Sequence, residues 1–163
     1  MKNRKRSQKG FSLIELLIVV AIILVIAAIA IPNLLQARVA ANEASAVGSL
    51  RTINSAMITY NDNYPTVGFA SSLAVLGGTT CAPADATAAC LIDSLLASGT
   101  KSGYSFSVTG VGTPASQYAS VATPLPGSGN RSFCSTEDGA IHYDPTGAAI
   151  ANHDDCIALT PLQ

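Results

Sequence analysis

Between Phe11 and Ile31 the chain has 21 consecutive residues of which only Ser12 and Glu15 are not apolar. As a helix rising about 1.5 Å per residue, this run is about 31 Å long, enough to cross a bilayer core of about 30 Å. Immediately before it stands MKNRKRSQKG, with five basic residues and no acid. A carboxylate that is charged at the centre of a bilayer costs on the order of 3 kcal/mol, so Glu15 needs a reason to be there.

The formal net charge of −1 hides an asymmetry. Lys2, Arg4, Lys5, Arg6 and Lys9 are five of the nine basic residues. Beyond Gly10 only Arg38, Arg51, Lys101 and Arg131 face ten acids, a net of −6. That acidic remainder has no basic patch of the kind that binds nucleic acid. The basic leader keeps its own end in the cytoplasm, and the chain beyond the apolar run is exported. Cys81, Cys90, Cys134 and Cys156 all lie in the exported part, and an even number of cysteines there favours disulfides. Of the three possible pairings, the local one, Cys81–Cys90 with Cys134–Cys156, closes two short loops without crossing the chain. No C-x-x-C is present, and neither His142 nor His153 sits at a ligand spacing from a cysteine, so metal binding is the weaker reading.

A secretory signal with Ala28-Ile29-Ala30 as its cleavage site is one account of the N-terminus, and an uncut signal anchor is another. The run exceeds an ordinary signal core of roughly 7–15 residues and carries a carboxylate near its start. Lys9, Gly10, Phe11, Ser12, Leu13, Ile14 and Glu15, followed by an apolar helix, resemble the N-terminus of type IV prepilins and type II secretion pseudopilins. The match is strong over residues 9–32 and looser beyond. The resemblance implies residues 1–10 as a leader peptide, cut between Gly10 and Phe11 by a prepilin peptidase, and N-methylation of Phe11. A cut there leaves the apolar run attached and frees an amine one helical turn, roughly 6 Å, from Glu15. In a bundle of staggered identical helices, Glu15 of one subunit meets the Phe11 amine of its neighbour. Low dielectric strengthens that pair and makes an unpaired Glu15 costly, which gives Glu15 an assembly role.

Pro32 comes directly after the run and is expected to kink the helix or melt its preceding turn. The family commonly carries a proline here. The helical pattern then resumes over residues 33–64, an amphipathic second half after the transmembrane first half, 11–32. Val47, Leu50, Ile53, Met57, Tyr60 and Tyr64 recur at spacings of three and four, an apolar stripe that needs a sheet to cover it. Arg38, Asn42, Glu43, Ser49 and Asn54 fall mostly off that stripe.

Residues 65–163 are the expected globular head. Its first part, to residue 102, is rich in small residues and reads as irregular, apart from a short helix over 90–97 closed by Gly99. Strands are expected at 103–109, 117–123, 131–136 and 140–143, with Glu137-Asp138-Gly139 as a hairpin turn. The tail from 146 is expected to be extended and tied back by Cys156. The fold class is therefore α+β, a lollipop with one long N-terminal helix on an antiparallel sheet of about four strands.

Chemistry is sparse. No G-x-S-x-G, P-loop or strand-borne G-x-G-x-x-G is present. His153-Asp154-Asp155 reads as a solvated tail segment rather than a metal site. No enzyme activity, metal or cofactor is expected. The resemblance implies a structural subunit that polymerises with identical or related pilins. Its partners are the prepilin peptidase/methylase, the membrane before assembly, and an inner-membrane platform with a motor ATPase. The head lies in the periplasm before assembly, and the filament is extracellular afterwards. Adhesion, motility and DNA uptake are properties of such filaments, and the sequence does not choose among them. A type II secretion pseudopilin is the nearest alternative, though such proteins usually end in an acidic calcium loop, and Glu137, Asp138 and Asp144 are too few for one. A membrane-anchored periplasmic binding module that does not polymerise is the other.

Overall fold

The computed structural model of the protein describes residues 10–78 and 84–162. The expected leader up to Lys9, and Cys81 of the expected Cys81–Cys90 pair, lie outside the described residues. The chain divides into two compact units, Met1–Ala37 and Arg38–Gln163.

Helix α1 (Leu13–Asn63) contributes to both units. In the first, its large apolar side chains are exposed all round, from 47% at Val20 to 81% at Leu13. The helix continues through Pro32 without interruption. The ring removes the amide that would bond the Ala28 carbonyl, yet the turn before it stays helical, so local melting at Pro32 is not seen.

In the second unit the stripe is buried as its spacing predicts. Leu50, Ile53 and Met57 are fully enclosed and Tyr60 nearly so, with Val47 and Tyr64 packed at the margin. The covering sheet has six strands rather than four, in sequential antiparallel order. They are β1 (Thr100–Lys101), β2 (Tyr104–Gly112), β3 (Ala115–Pro124), β4 (Ser132–Ser135), β5 (Ile141–Asp144) and β6 (Thr160–Pro161). The two additional strands, β1 and β6, have two residues each, too short to show alternation. Along β2, Tyr104, Phe106 and Val108 point to the core while Ser105, Ser107 and Thr109 are exposed. The turn between β4 and β5 closes as expected, with the Gly139 amide donating to the Thr136 carbonyl and Gly139 at φ +72°.

Glu43, Ser49 and Asn54 are buried, contrary to their expected place off the stripe. Glu43 accepts from Arg131 Nε at 2.9 Å, from Arg131 Nη2 at 2.6 Å and from the Asn130 amide at 3.0 Å. Asn54 Nδ2 donates to Ser135 Oγ at 2.7 Å, and its Oδ1 accepts from Tyr118 Oη at 3.2 Å. Burial, then the charges of Glu137 and Asp138, push the Tyr118 phenol up, so it stays a donor. Glu43 and Asn54 are tolerated in the interior because each finds partners, and these partners fix how the helix registers against β3 and β4.

The segment before the sheet is more ordered than expected. It holds α2 (Leu73–Gly77), and the expected 90–97 helix shortens to α3 (Ser94–Ala97). Asp93 caps α3 by accepting from the Leu96 amide at 2.9 Å. Leu73, Leu76 and Leu96 join the core. The tail is not simply extended: α4 (His153–Ile157) lies in it, capped by Asn152. The Cys134–Cys156 disulfide forms as expected. Cys156, Ile150 and Leu159 pack with Val121 and Cys134 in a second small cluster. Val121 and Cys134 alternate along their strands with the core residues Ala122 and Phe133, so this cluster lies on the opposite face of the sheet.

Denaturant unfolding of the full chain in detergent tests both kinds of fastening. Asn54→Ala leaves Tyr118 and Ser135 without their buried partner and lowers stability by about 2–3 kcal/mol. Replacing Cys134 and Cys156 by Ala opens a loop with a sequence separation of 22 and costs about 3 kcal/mol on the chain-entropy account. Unchanged midpoints contradict either assignment.

Candidate assembly site on the first helix

The residues singled out by the apolar run stand at the head of α1. Gly10 and Phe11 precede the helix in non-helical chain, both exposed, Phe11 at 87%. The bond between them is therefore free of the helical ladder. Ser12 is the residue before the first helical turn, and its carbonyl accepts from the Leu16 amide at 3.3 Å.

Glu15 lies in that first turn, and its side chain folds back over the helix start. Oε2 accepts from the Ser12 backbone amide at 2.9 Å. This is the carboxylate half of a capping box, which satisfies one of the amides that a helix start leaves without an internal partner. The helix dipole favours a negative charge at the same place. A hydropathy reading of the run treats Glu15 as an intruder. The Ser12-x-x-Glu15 spacing is the signal that reading passes over, because it marks a helix start in its own right. The carboxylate thus sits on the Ser12 amide, one residue along the chain from the Phe11 nitrogen. Pro32 is 17 residues from Glu15, about 26 Å along a regular helix, and takes no part in this cluster.

The remaining flagged residues lie in the second unit. His153 is buried rather than solvated, at 8% exposure, with Glu137 and Asp154 against its ring. His142 is buried on β5, its Nδ1 donating to the Leu159 carbonyl at 2.8 Å. Asp144 accepts from the amide and hydroxyl of Thr146, a local turn. Asp138 likewise accepts from Thr136 Oγ1 and the Ala140 amide.

α1 is long and apolar enough to cross a membrane. Residues 5–31 match the family model described as the prokaryotic N-terminal methylation motif. The chain is 66% identical over 38 residues to the type IV wide pilus major component of Thermus thermophilus, a match covering 23% of this chain and 29% of that protein. It is 33% identical over 66 residues to the type II secretion system core protein G of Aeromonas hydrophila, covering 39% of this chain and 46% of the relative. The same figures hold for core protein G of Klebsiella michiganensis. The matches span less than half the length of these curated relatives. The chain carries at its N-terminus the methylation motif shared by type IV pilins and type II secretion pseudopilins.

Proposed function

We propose that this chain is the structural subunit of a type IV pilus-like filament. The observation that carries the reading is the helix head. A membrane-length apolar helix with no side covered starts at a capping carboxylate, directly after an exposed Gly10–Phe11 bond. Cleavage of that bond by a prepilin peptidase, with methylation of Phe11, delivers an amine beside Glu15. In the membrane the helix is stored among lipid tails. In the filament, neighbouring α1 helices take the place of lipid, and Glu15 of one subunit pairs with the Phe11 amine of the next. That pairing sets stagger and recruits the incoming subunit. The head is carried outward, from the periplasmic side of the inner membrane to the filament surface. The chain has no nucleotide-binding motif, so extrusion depends on a membrane platform and its motor ATPase. The subunit has a structural role and performs no catalysis.

The pseudopilin reading has one observation in its favour: the longer similarities are to type II secretion core proteins. Against it, Asp138 and Asp144 are engaged in local turn hydrogen bonds and Glu137 faces His153. Shearing separates the two readings. A pilus subunit appears in sheared surface filaments, whereas a pseudopilin is absent from them and its deletion abolishes protein export.

Intact mass and N-terminal sequencing of the membrane-extracted protein should find a start at Phe11, one methyl group heavier than the bare sequence. A start at Met1 or near Ile31 overturns the filament reading in favour of an anchored module or an ordinary signal. With processing established, Glu15→Gln should leave the subunit cut and inserted while filament yield drops to background in electron micrographs. Wild-type filament numbers from this variant remove the assembly role of Glu15.

A further inference from the structure

His153 opens α4 and is enclosed between two carboxylates. Its Nε2 lies 3.1 Å from both oxygens of Glu137, on the turn between β4 and β5. Its Nδ1 lies 3.2 Å from Asp154 Oδ1 on its own helix. Ionised carboxylates only accept hydrogen bonds, and a neutral imidazole has one N–H to give. The neutral ring therefore leaves a lone pair against an anion whichever tautomer it adopts. The imidazolium alone satisfies both contacts. Burial is the largest single influence and pushes the His153 pKa down, but the hydrogen bonds to Asp154 and Glu137, with their negative charges, outweigh it. The net direction is up from the ordinary 6.5.

The cluster ties three elements together. Glu137 also accepts from the Tyr118 amide of β3 at 3.5 Å, so His153 joins α4 to β3 through the hairpin turn. The other charged or titratable groups nearby are Asp138 in the same turn, His142 on β5, Asp155 on α4 and the Tyr118 phenol on β3, which burial and the charges of Glu137 and Asp138 push up. Asp138 Oδ2 lies 3.6 Å from His142 Nε2, and Asp155 is exposed. Among the described residues no lysine or arginine pairs with Glu137 or Asp154, so the compensating positive charge comes from His153. Beneath α4 lie Val121 and Cys134 on the sheet face away from α1.

We propose that His153 is a proton-operated latch, whose imidazolium holds the start of α4 against the turn between β4 and β5 and whose deprotonation lets the segment around His153 loosen over the outer face of the sheet while Cys156 stays bonded to Cys134. The sign comes from the raised pKa in the docked state. The latch contributes its full stabilisation below the ordinary histidine value of about 6.5 and loses it as the pH rises through the higher docked value. The Cys134–Cys156 bond keeps the end of α4 on the sheet, so the opening at His153 is local and reversible. None of this requires a filament, and the isolated full-length chain in detergent suffices to test it.

Hydrogen-exchange mass spectrometry over residues 153–159, corrected for the intrinsic pH dependence of exchange, reads the latch directly. Between about pH 5.5 and pH 9 wild-type protection should fall by roughly three- to tenfold while α1 protection stays level. His153→Gln keeps a hydrogen-bonding side chain that cannot charge, and its protection should be low and flat with pH. In wild-type protein the His153 imidazole resonance should titrate above the free-histidine midpoint, and Glu137→Gln should move that midpoint down. A flat wild-type profile, a slope shared by His153→Gln, or an imidazole midpoint at or below the free value overturns the latch. Should His153→Gln fail to fold, the wild-type titration and Glu137→Gln decide the matter alone.

Discussion

The first unit depends on a surplus of apolar surface. From Leu13 to Leu35 the helix satisfies its own backbone hydrogen bonds, the Ala28 carbonyl before Pro32 excepted, and covers none of its large apolar side chains. A backbone that is internally satisfied is stable in lipid, and it is equally stable against other helices of the same kind. The two environments are interchangeable for the side chains as well, since lipid tails and leucines are alike in polarity. A segment built this way has no preference of its own for depth or neighbour, and specificity must come from a polar group. Glu15 is the acid in the run, and its capping bond to the Ser12 amide holds it at the end where polarity is tolerated.

The second half of the same helix solves the opposite problem. Its stripe is covered by the sheet, and apolar contacts between a helix and a sheet define area better than register. Glu43 and Asn54 supply the register. Each sits within the buried face and is satisfied by groups more than 60 positions away in sequence. Breaking one contact leaves a buried donor or acceptor without a partner, which makes the correct docking steeper than alternatives with similar apolar burial. Arg131 strengthens this pin, because its guanidinium also lies 5.5 Å from the Phe133 ring and 5.6 Å from that of Tyr143.

The legible part of the sequence is the part that runs unbroken or repeats. The apolar run is legible by its unbroken length, the three-and-four stripe from Val47 to Tyr64 and the alternation of β2 by their periods, and each appears in the structure where it is expected. The hairpin turn at Glu137-Asp138-Gly139 is legible because turn chemistry is local. Pairings over long distances are not. Nothing near Asn54 announces Ser135 and Tyr118, so residue type alone puts this polar side chain off the stripe. β1, β6 and α4 are two to five residues long, shorter than the periods that reveal strands and helices. His153 looks solvated in the sequence because its neighbours there are acids, and its other carboxylate comes from a turn sixteen residues earlier. At the helix head the missed signal is local after all: Ser12 and Glu15 are three apart, and the capping pattern is hidden when the same residues are read only for hydropathy.

The outer face of the sheet shows why a short tail can matter to a small head. β3 and β4 are buried on both faces, inward against α1 and outward against the tail. An antiparallel sheet ordinarily leaves one face to water, and Val121 and Cys134 would be exposed there without a cover. Five residues of helix cannot hold that cover by apolar area alone, since only Cys156, Ile150 and Leu159 contribute to the small cluster. The tail is therefore fastened by discrete bonds: one disulfide, the β5–β6 pairing, the His142 link to the Leu159 carbonyl, and the ring of His153 between Glu137 and Asp154. Of these fasteners, the contacts of His153 change sign with a single proton, whereas the disulfide and the backbone pairing do not. Covering a face with few bonds rather than much area concentrates its stability in individual groups, and a group that titrates then governs more of the surface than its size suggests.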